Sequence, residues 1–383
     1  MSKNNFFNII DLGSSKIRLS VFNDKNEEIF SSSSLLNSTK DNQNYFEELK
    51  KTIKIAEKKI SSHIEDIILL LDPSKIFTID ISLNKKTDKK MKVKQIYNLL
   101  LMELNHLIKN NYDKHELTHI YLDQCIVDSK IYSRLPIDKK DINNLKVDFK
   151  LICLPKILVF DLKNIFKLNN LNITNIFCTS YVKSLTYLST ININKISFLD
   201  IGWERSTSIL YKNFRLQSIK TIPVGSFHIT KDISKIFKIS IDDAEKIKKV
   251  FNKSKTEFSY INNSNDNISV KEIINKNISI DLLKKVILYR IQEILDLAFN
   301  SSKLETNSHS DADLFLTGGG SNLFNNNSFY LNDNFNFNSI KFSEENDKEI
   351  CCSALKYYLK IKQEYQTINK KTGLFERFFN FFD

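Results

Sequence analysis

Apolar residues along the chain repeat in two periods, and the switch between them divides it into elements. Residues 7–11 and 17–22 read as two strands around a tight turn. In residues 45–64, Leu49, Ile53, Ala56, Ile60 and Ile64 recur at helical spacing among charges, which predicts an amphipathic helix. A short apolar strand over 66–71 ends at Asp72-Pro73. Strict alternation over 77–83 predicts another strand, followed by a charged loop over 84–90. A helix over 93–108, paired strands over 120–127 and 129–135, and a strand over 146–154 ending at Pro155 form a middle stretch. A helix over 156–168 and a strand over 173–177 follow.

Near residue 197 the plan starts again. Strand, turn and strand run from 198 to 211 and on to 222. Helices follow over 227–237 and 241–251, then a polar irregular stretch over 256–277. A long helix over 281–300 leads to a strand over 312–316. Residues 322–338, rich in Asn and Phe, show no period and read as a loop. A helix over 351–365 and a polar linker over 366–372 come next. Two half-chains that each open with strand, Asp-x-Gly, strand predict a duplicated α/β architecture.

Glycine is scarce, at seven in 383 residues. A chain this poor in glycine keeps it where a Cβ cannot be tolerated. Gly13 lies in Ile10-Asp11-Leu12-Gly13-Ser14-Ser15-Lys16, where a strand ends, a carboxylate follows, and a small-residue turn offers backbone N–H groups and hydroxyls. Lys16 adds positive charge, and the set suits a phosphate chain with its metal ion. The second instance is Leu199-Asp200-Ile201-Gly202. The third, Leu316-Thr317-Gly318-Gly319-Gly320-Ser321-Asn322, lets backbone approach a sugar and α-phosphate closely. Any one loop reads equally well as a tight turn. Three of them, each leaving an apolar strand, point to a nucleotide.

The net charge is +11, from 56 basic and 45 acidic residues. Lysine is scattered along polar helix faces without a basic stripe interleaved with aromatics, so nucleic-acid binding is not expected. A basic surface does suit an anionic membrane. Cys125, Cys153, Cys178, Cys351 and Cys352 form no C-x-x-C pair, and reduced thiols are expected. No run of about 18 apolar residues and no signal-peptide core stand in the chain, so a cytoplasmic location is expected. His115-Glu116-Leu117-Thr118-His119 matches the H-E-x-x-H zinc-protease pattern. A strand begins at Ile120 and the zincin continuation fails at Leu122 and Cys125, so a zinc site is not expected.

At the C-terminal side, Leu374, Phe375, Phe378, Phe379, Phe381 and Phe382 fall on one face of a helix. Glu376, Arg377, Asn380 and Asp383 fall opposite, after Lys370 and Lys371. This is the signature of an interfacial membrane helix. A terminal helix docked on the protein's own core gives the same pattern.

The order of the loops resembles the actin, Hsp70 and sugar-kinase superfamily. Within it the chain is similar to FtsA, a bacterial cell-division family, through IDLGSSKI (10–17), IPVGSFHITKDI (222–233), AEKIK (244–248) and LTGGGSN (316–322). The resemblance implies a two-lobed actin-like ATPase fold with an FtsA-type inserted subdomain. Residues 1–76 and 154–196 would form the first lobe, 77–153 the insert, and 197–226 with 312–365 the core of the second lobe. Residues 227–311 would be the outer part of the second lobe, 366–372 a linker and 373–383 the membrane helix.

It further implies ATP held by Asp11, Gly13, Ser14, Ser15, Lys16, Asp200, Gly202, Arg205, Ser206, Glu245, Lys248, Gly318, Gly319, Gly320 and Asn322. Asp11 and Asp200 would orient Mg²⁺ through water. No catalytic residue is implied, only weak ATPase activity at most. The implied role is an adaptor at the inner face of the cell membrane, forming homopolymers, tethering FtsZ during septum formation and meeting other divisome membrane proteins. One departure stands out: where the family has a Gly-rich, Thr-containing second phosphate loop, this chain has Gly202-Trp203-Glu204-Arg205-Ser206-Thr207. Glu204 would repel phosphate, and Arg205 would compensate by pairing with a phosphate oxygen. The alternatives are an actin-fold kinase or phosphatase for a small molecule, and a pilus-assembly actin homologue.

Overall fold

A computed structural model describes residues 6–36, 42–132, 134–189, 193–253, 278–299, 311–324, 337–343 and 347–369. The expected irregular stretch 256–277, most of the expected loop 322–338 and the amphipathic segment 373–383 lie outside the described residues.

Two five-stranded sheets share one topology. In the first, β1 (Phe7–Leu12), β2 (Lys16–Phe22) and β3 (Glu28–Leu35) form an antiparallel meander, and β4 (Asp66–Leu71) and β9 (Asn172–Cys178) add in parallel beyond β1, giving the order β3-β2-β1-β4-β9. The second repeats this with β10 (Lys195–Ile201), β11 (Ser206–Lys212), β12 (Arg215–Ile222), β13 (Asp313–Thr317) and β14 (Ser339–Phe342), in the order β12-β11-β10-β13-β14. The central strands are apolar on both faces because helices cover both sides, which is why β1, β4, β10 and β13 read as continuous runs.

The helices are α1 (Asn42–Ile60), α2 (Val93–Asn111), α3 (Lys156–Lys167), α4 (Thr179–Leu188), α5 (Ser226–Phe237), α6 (Ile241–Lys253), α7 (Ile280–Phe299) and α8 (Asp347–Asn369). One core joins the two sheets. Ile9, Phe22 and Phe177 from the first pack with Phe198, Ile209 and Phe315 from the second, through Tyr181 and Val182 of α4 and Cys351, Ala354 and Leu355 of α8. Outer cores lie beneath α1 and α3 on one side and beneath α5, α6 and α7 on the other.

A third sheet, β5 (Phe77–Met91), β6 (His115–Val127), β7 (Lys130–Tyr132) and β8 (Ile142–Pro155), has the order β5-β8-β6-β7 and its own core under α2. The charges expected to form a loop over 84–90 belong to β5, which continues to pair with β8 at Asn84, Lys85 and Lys86. β5 is an edge strand, where lysines cost little and protect the edge. Three elements escaped the sequence pattern. β3 is masked by four consecutive serines, β14 is four residues long, and α4 begins without a side-chain cap and mixes Thr, Tyr, Val and Ser.

The H-E-x-x-H segment lies on β6, not on a helix. His119 is buried there within 5.5 Å of the rings of Phe177, Tyr181 and Tyr357. Its Nε2 accepts the Cys178 backbone N–H at 3.0 Å, which places the ring proton on Nδ1, 2.9 Å from the Tyr357 hydroxyl. It therefore pins the inserted sheet to β9 and α8. Burial holds its pKa down at about 3, against 6.5 when free. The unfolded chain thus takes up the proton first, and stability falls as pH drops below 6.5. At pH 5 this costs about 2 kcal/mol, from ~1.4 kcal/mol per pH unit. Urea unfolding at pH 7.5 and pH 5 should show that loss in the native protein, and a smaller loss in His119→Gln.

Candidate functional site

The site gathers at the ends of the four central strands. Asp11 closes β1, Asp72 follows β4, Asp200 lies at the end of β10 and Gly318 follows β13. Open α/β sheets place ligands at such strand ends. The loops are linked by direct contacts. The Glu204 backbone N–H reaches Ser14 Oγ at 3.3 Å, so the first loop touches the second. Arg205 Nη1 donates to the Asp72 carbonyl oxygen at 3.0 Å. The second loop packs on Gly225, where a Cβ would stand 2.6 Å from the Trp203 carbonyl and 2.7 Å from the Arg205 nitrogen. The glycine of the IPVG turn is therefore required by close approach of backbone to backbone.

The triple-glycine loop leans on the same place. Gly318 has φ +86°, and an added Cβ would collide with Asp200 and lie 2.6 Å from the Ile201 carbonyl oxygen. Both strain and clash predict that Gly318→Ala destabilises the protein by about 1–3 kcal/mol, measured as a lowered thermal midpoint. Gly320 packs on Ile201 and Ser226, and its N–H bonds the Ile201 carbonyl at 2.9 Å. At Gly319, no atom of the described residues lies within 4 Å of where a Cβ would stand. The side chain of Asn322 lies outside the described set.

The charged groups expected to meet a ligand are already paired. Asp11, buried, accepts from Arg18 Nη1 at 2.7 Å and from Thr179 Oγ1 at 3.0 Å. Arg18 Nε in turn donates to Asp347 at 2.7 Å, and Lys16 reaches Asp347 at 3.1 Å. Burial would raise the Asp347 carboxyl, but Arg18 and Lys16 outweigh it and hold it below the usual range. Asp200 accepts from Lys183 Nζ at 2.7 Å and from Ser180 Oγ at 2.9 Å. The Ser180 hydroxyl also bonds Asp72, which further accepts from the Ser180 N–H at 3.0 Å. Burial and the neighbouring Asp200 push the Asp72 carboxyl up.

Ser206 is turned into the protein, with its hydroxyl on the Val224 carbonyl at 2.8 Å. Glu245 and Lys248 form an ion pair at 2.6 Å, and Lys248 also donates to the Ser226 carbonyl and to Thr230. Trp203 stacks on Phe227 at 4.8 Å, with Lys248 Nζ 4.9 Å from its ring centroid. Burial lowers the Lys248 pKa, against the pull of Glu245. Ser226 joins this cluster to Gly320, so Glu245, Lys248 and the altered loop flank the triple-glycine turn.

The structure thus brings Asp11, the 13–16 loop, Asp200, the 202–205 loop and Gly318–Gly320 together. It adds Arg18, Asp72, Ser180, Lys183 and Asp347, which the sequence reading missed. Asp72 left a trace in its Asp-Pro strand end. Lys183 left none, because its helix was not recognised. A hydrated divalent cation needs carboxylate oxygens open to it. Here each of the two aspartates expected to serve one is neutralised by a basic side chain. Among the described residues no group of three His, Cys, Asp or Glu side chains could hold a metal ion.

Comparison with known proteins bears on the family likeness and the fold. Residues 197–344 match the family of the cell division protein FtsA. The chain is 27% identical over 155 residues to the cell division protein FtsA of Helicobacter pylori, covering 38% of this chain and 31% of that protein. It is 28% identical over 182 residues to that of Bacillus subtilis, covering 46% of this chain and 40% of that protein. The matched stretches therefore span well under half the length of either relative. Among solved structures, the PilM-PilN type IV pilus biogenesis complex superposes with a TM-score of 0.58 at 14% identity, covering 91% of this chain and 89% of that one. That likeness extends to the fold. Among the described residues no helix is long and apolar enough to cross a membrane. The chain is thus similar to FtsA over part of its length, and its fold is the actin-like one.

Proposed function

We propose that this protein is an ATP-binding actin homologue of cell division, which polymerises on the inner face of the cytoplasmic membrane and anchors the FtsZ ring there. The observation that carries the reading is the coincidence of the FtsA match over 197–344 with the strands and loops that converge on the cleft. In this reading the nucleotide lies against Gly318–Gly320, with Gly319 toward it. Ser14, Ser15 and the half-exposed Lys16 meet its phosphates, Gly202 and Arg205 close over it, and Glu245 with Lys248 flanks the adenosine. Bound there, ATP would be a ligand shared by the loops of both sheets, held by these residues. Residues 77–153 serve as the inserted subdomain, residues 227–311 include the surface for the FtsZ tail, and residues 373–383 form the membrane helix.

The test is pelleting with anionic liposomes, with and without ATP. ATP should increase the pelleted fraction and produce filaments visible by negative-stain microscopy. Equal pelleting with and without ATP, and no filaments, would contradict the reading. An actin-fold small-molecule kinase or phosphatase would need a catalytic carboxylate open to the cleft, whereas Asp11, Asp72 and Asp200 are all held in hydrogen bonds.

A further inference from the structure

Helix α4 places three side chains among the carboxylates at the strand ends. Thr179 reaches Asp11, Ser180 links Asp72 to Asp200, and Lys183, one turn later, reaches Asp200. Lys183 and Asp200 keep only 9% and 13% of their side-chain surface in contact with solvent, so this pair is inside the protein. Two of these carboxylates thus have a basic side chain at 2.7 Å, Arg18 on Asp11 and Lys183 on Asp200. A buried pair of this kind does not open readily, since parting it strands a charge in low dielectric. A hydrated magnesium ion brought to Asp200 would have to displace the ammonium or stand beside it, and like charges at such a distance repel.

We propose that this chain takes nucleoside triphosphate without a divalent cation, Lys183 bringing to Asp200 the positive charge that a metal ion would otherwise bring. The inference rests on the nucleotide-binding reading above. Lys183 is a fixed charge carried by the fold itself. Asp11 and Asp200 each have a basic partner before ligand arrives, and phosphate charge is met by Lys16 and Arg205 from the loops.

The test is equilibrium dialysis of ATP against the full chain, once in EDTA and once in excess Mg²⁺. The account expects the two dissociation constants to agree within about fivefold, a difference of ~1 kcal/mol or less. In Lys183→Met, binding in EDTA should weaken by about tenfold or more and Mg²⁺ should restore part of it, while Lys183→Arg should behave as the native chain does. Circular dichroism checks that the variants fold, and the native comparison stands even if Lys183→Met does not. Tightening of native binding by more than about fivefold on adding Mg²⁺ overturns the metal-independent site but leaves ATP binding intact. So does a folded Lys183→Met that binds as the native chain in EDTA. Absence of ATP binding under both conditions overturns both readings.

Discussion

Replacing Arg18 by methionine is expected to destabilise the protein by about 3–5 kcal/mol, the cost of removing one partner from a buried ion pair. Asp11 is only 2% exposed, and Arg18 is its basic partner at 2.7 Å. Without the guanidinium, the carboxylate keeps the Thr179 hydroxyl but loses its counter-charge in the middle of the core. Asp347 loses a second bond from the same side chain. The fitting comparison is Lys16→Met. Lys16 pairs with the same Asp347, but with 35% and 31% of the two side chains exposed, water screens the pair. Its loss should cost less than about 1 kcal/mol. Urea unfolding followed by circular dichroism gives both numbers. Equal and small effects of the two substitutions would show that the Arg18–Asp11 contact is not the anchor described here.

Removal of residues 374–383 is expected to abolish pelleting with anionic vesicles while leaving folding and ATP binding unchanged. Five phenylalanines and one leucine would share one apolar face if this segment were helical. Full burial of one such ring is worth roughly 1.5–3 kcal/mol. An interfacial helix immerses each ring only in part and must order itself on the surface. One segment should therefore bind reversibly, and an array of them on a filament should bind tightly, because each further contact is intramolecular. Phe378→Asp with Phe382→Asp should reproduce the deletion without shortening the chain. Undiminished pelleting of either variant would move the membrane contact elsewhere on the protein.

The sequence made the duplicated plan legible because the central strands are buried on both faces and punctuated by glycine. Asp11-Leu12-Gly13 and Asp200-Ile201-Gly202 occupy corresponding positions in the two sheets. The same reading erred where tertiary context overrides local pattern. The lysines of β5 look like loop residues until β8 is seen to pair with them. The serines of β3 alternate between exposed and half-buried, and the strand is specified by its ladder to β2.

The loops of the site were visible for the same reason as the fold: Gly318 and Gly225 stand where backbone meets backbone, and no other residue fits. The pairing of the charges was not visible. Arg18 lies 329 residues from Asp347, and Asp72 lies 108 from Ser180. A charge on a strand or helix carries no local mark of a distant partner. Arg205 illustrates the limit. Sequence alone offered it to a phosphate, whereas the fold directs one of its nitrogens to the Asp72 carbonyl.

The most direct test of the account uses a supported bilayer of anionic lipid, fluorescent FtsZ, and this protein with ATP. The account predicts that FtsZ collects on the bilayer only when the full chain and ATP are both present, and that it stays in solution with the chain lacking residues 374–383. FtsZ remaining in solution with the full chain and ATP, although the chain itself coats the bilayer, would contradict the proposed role.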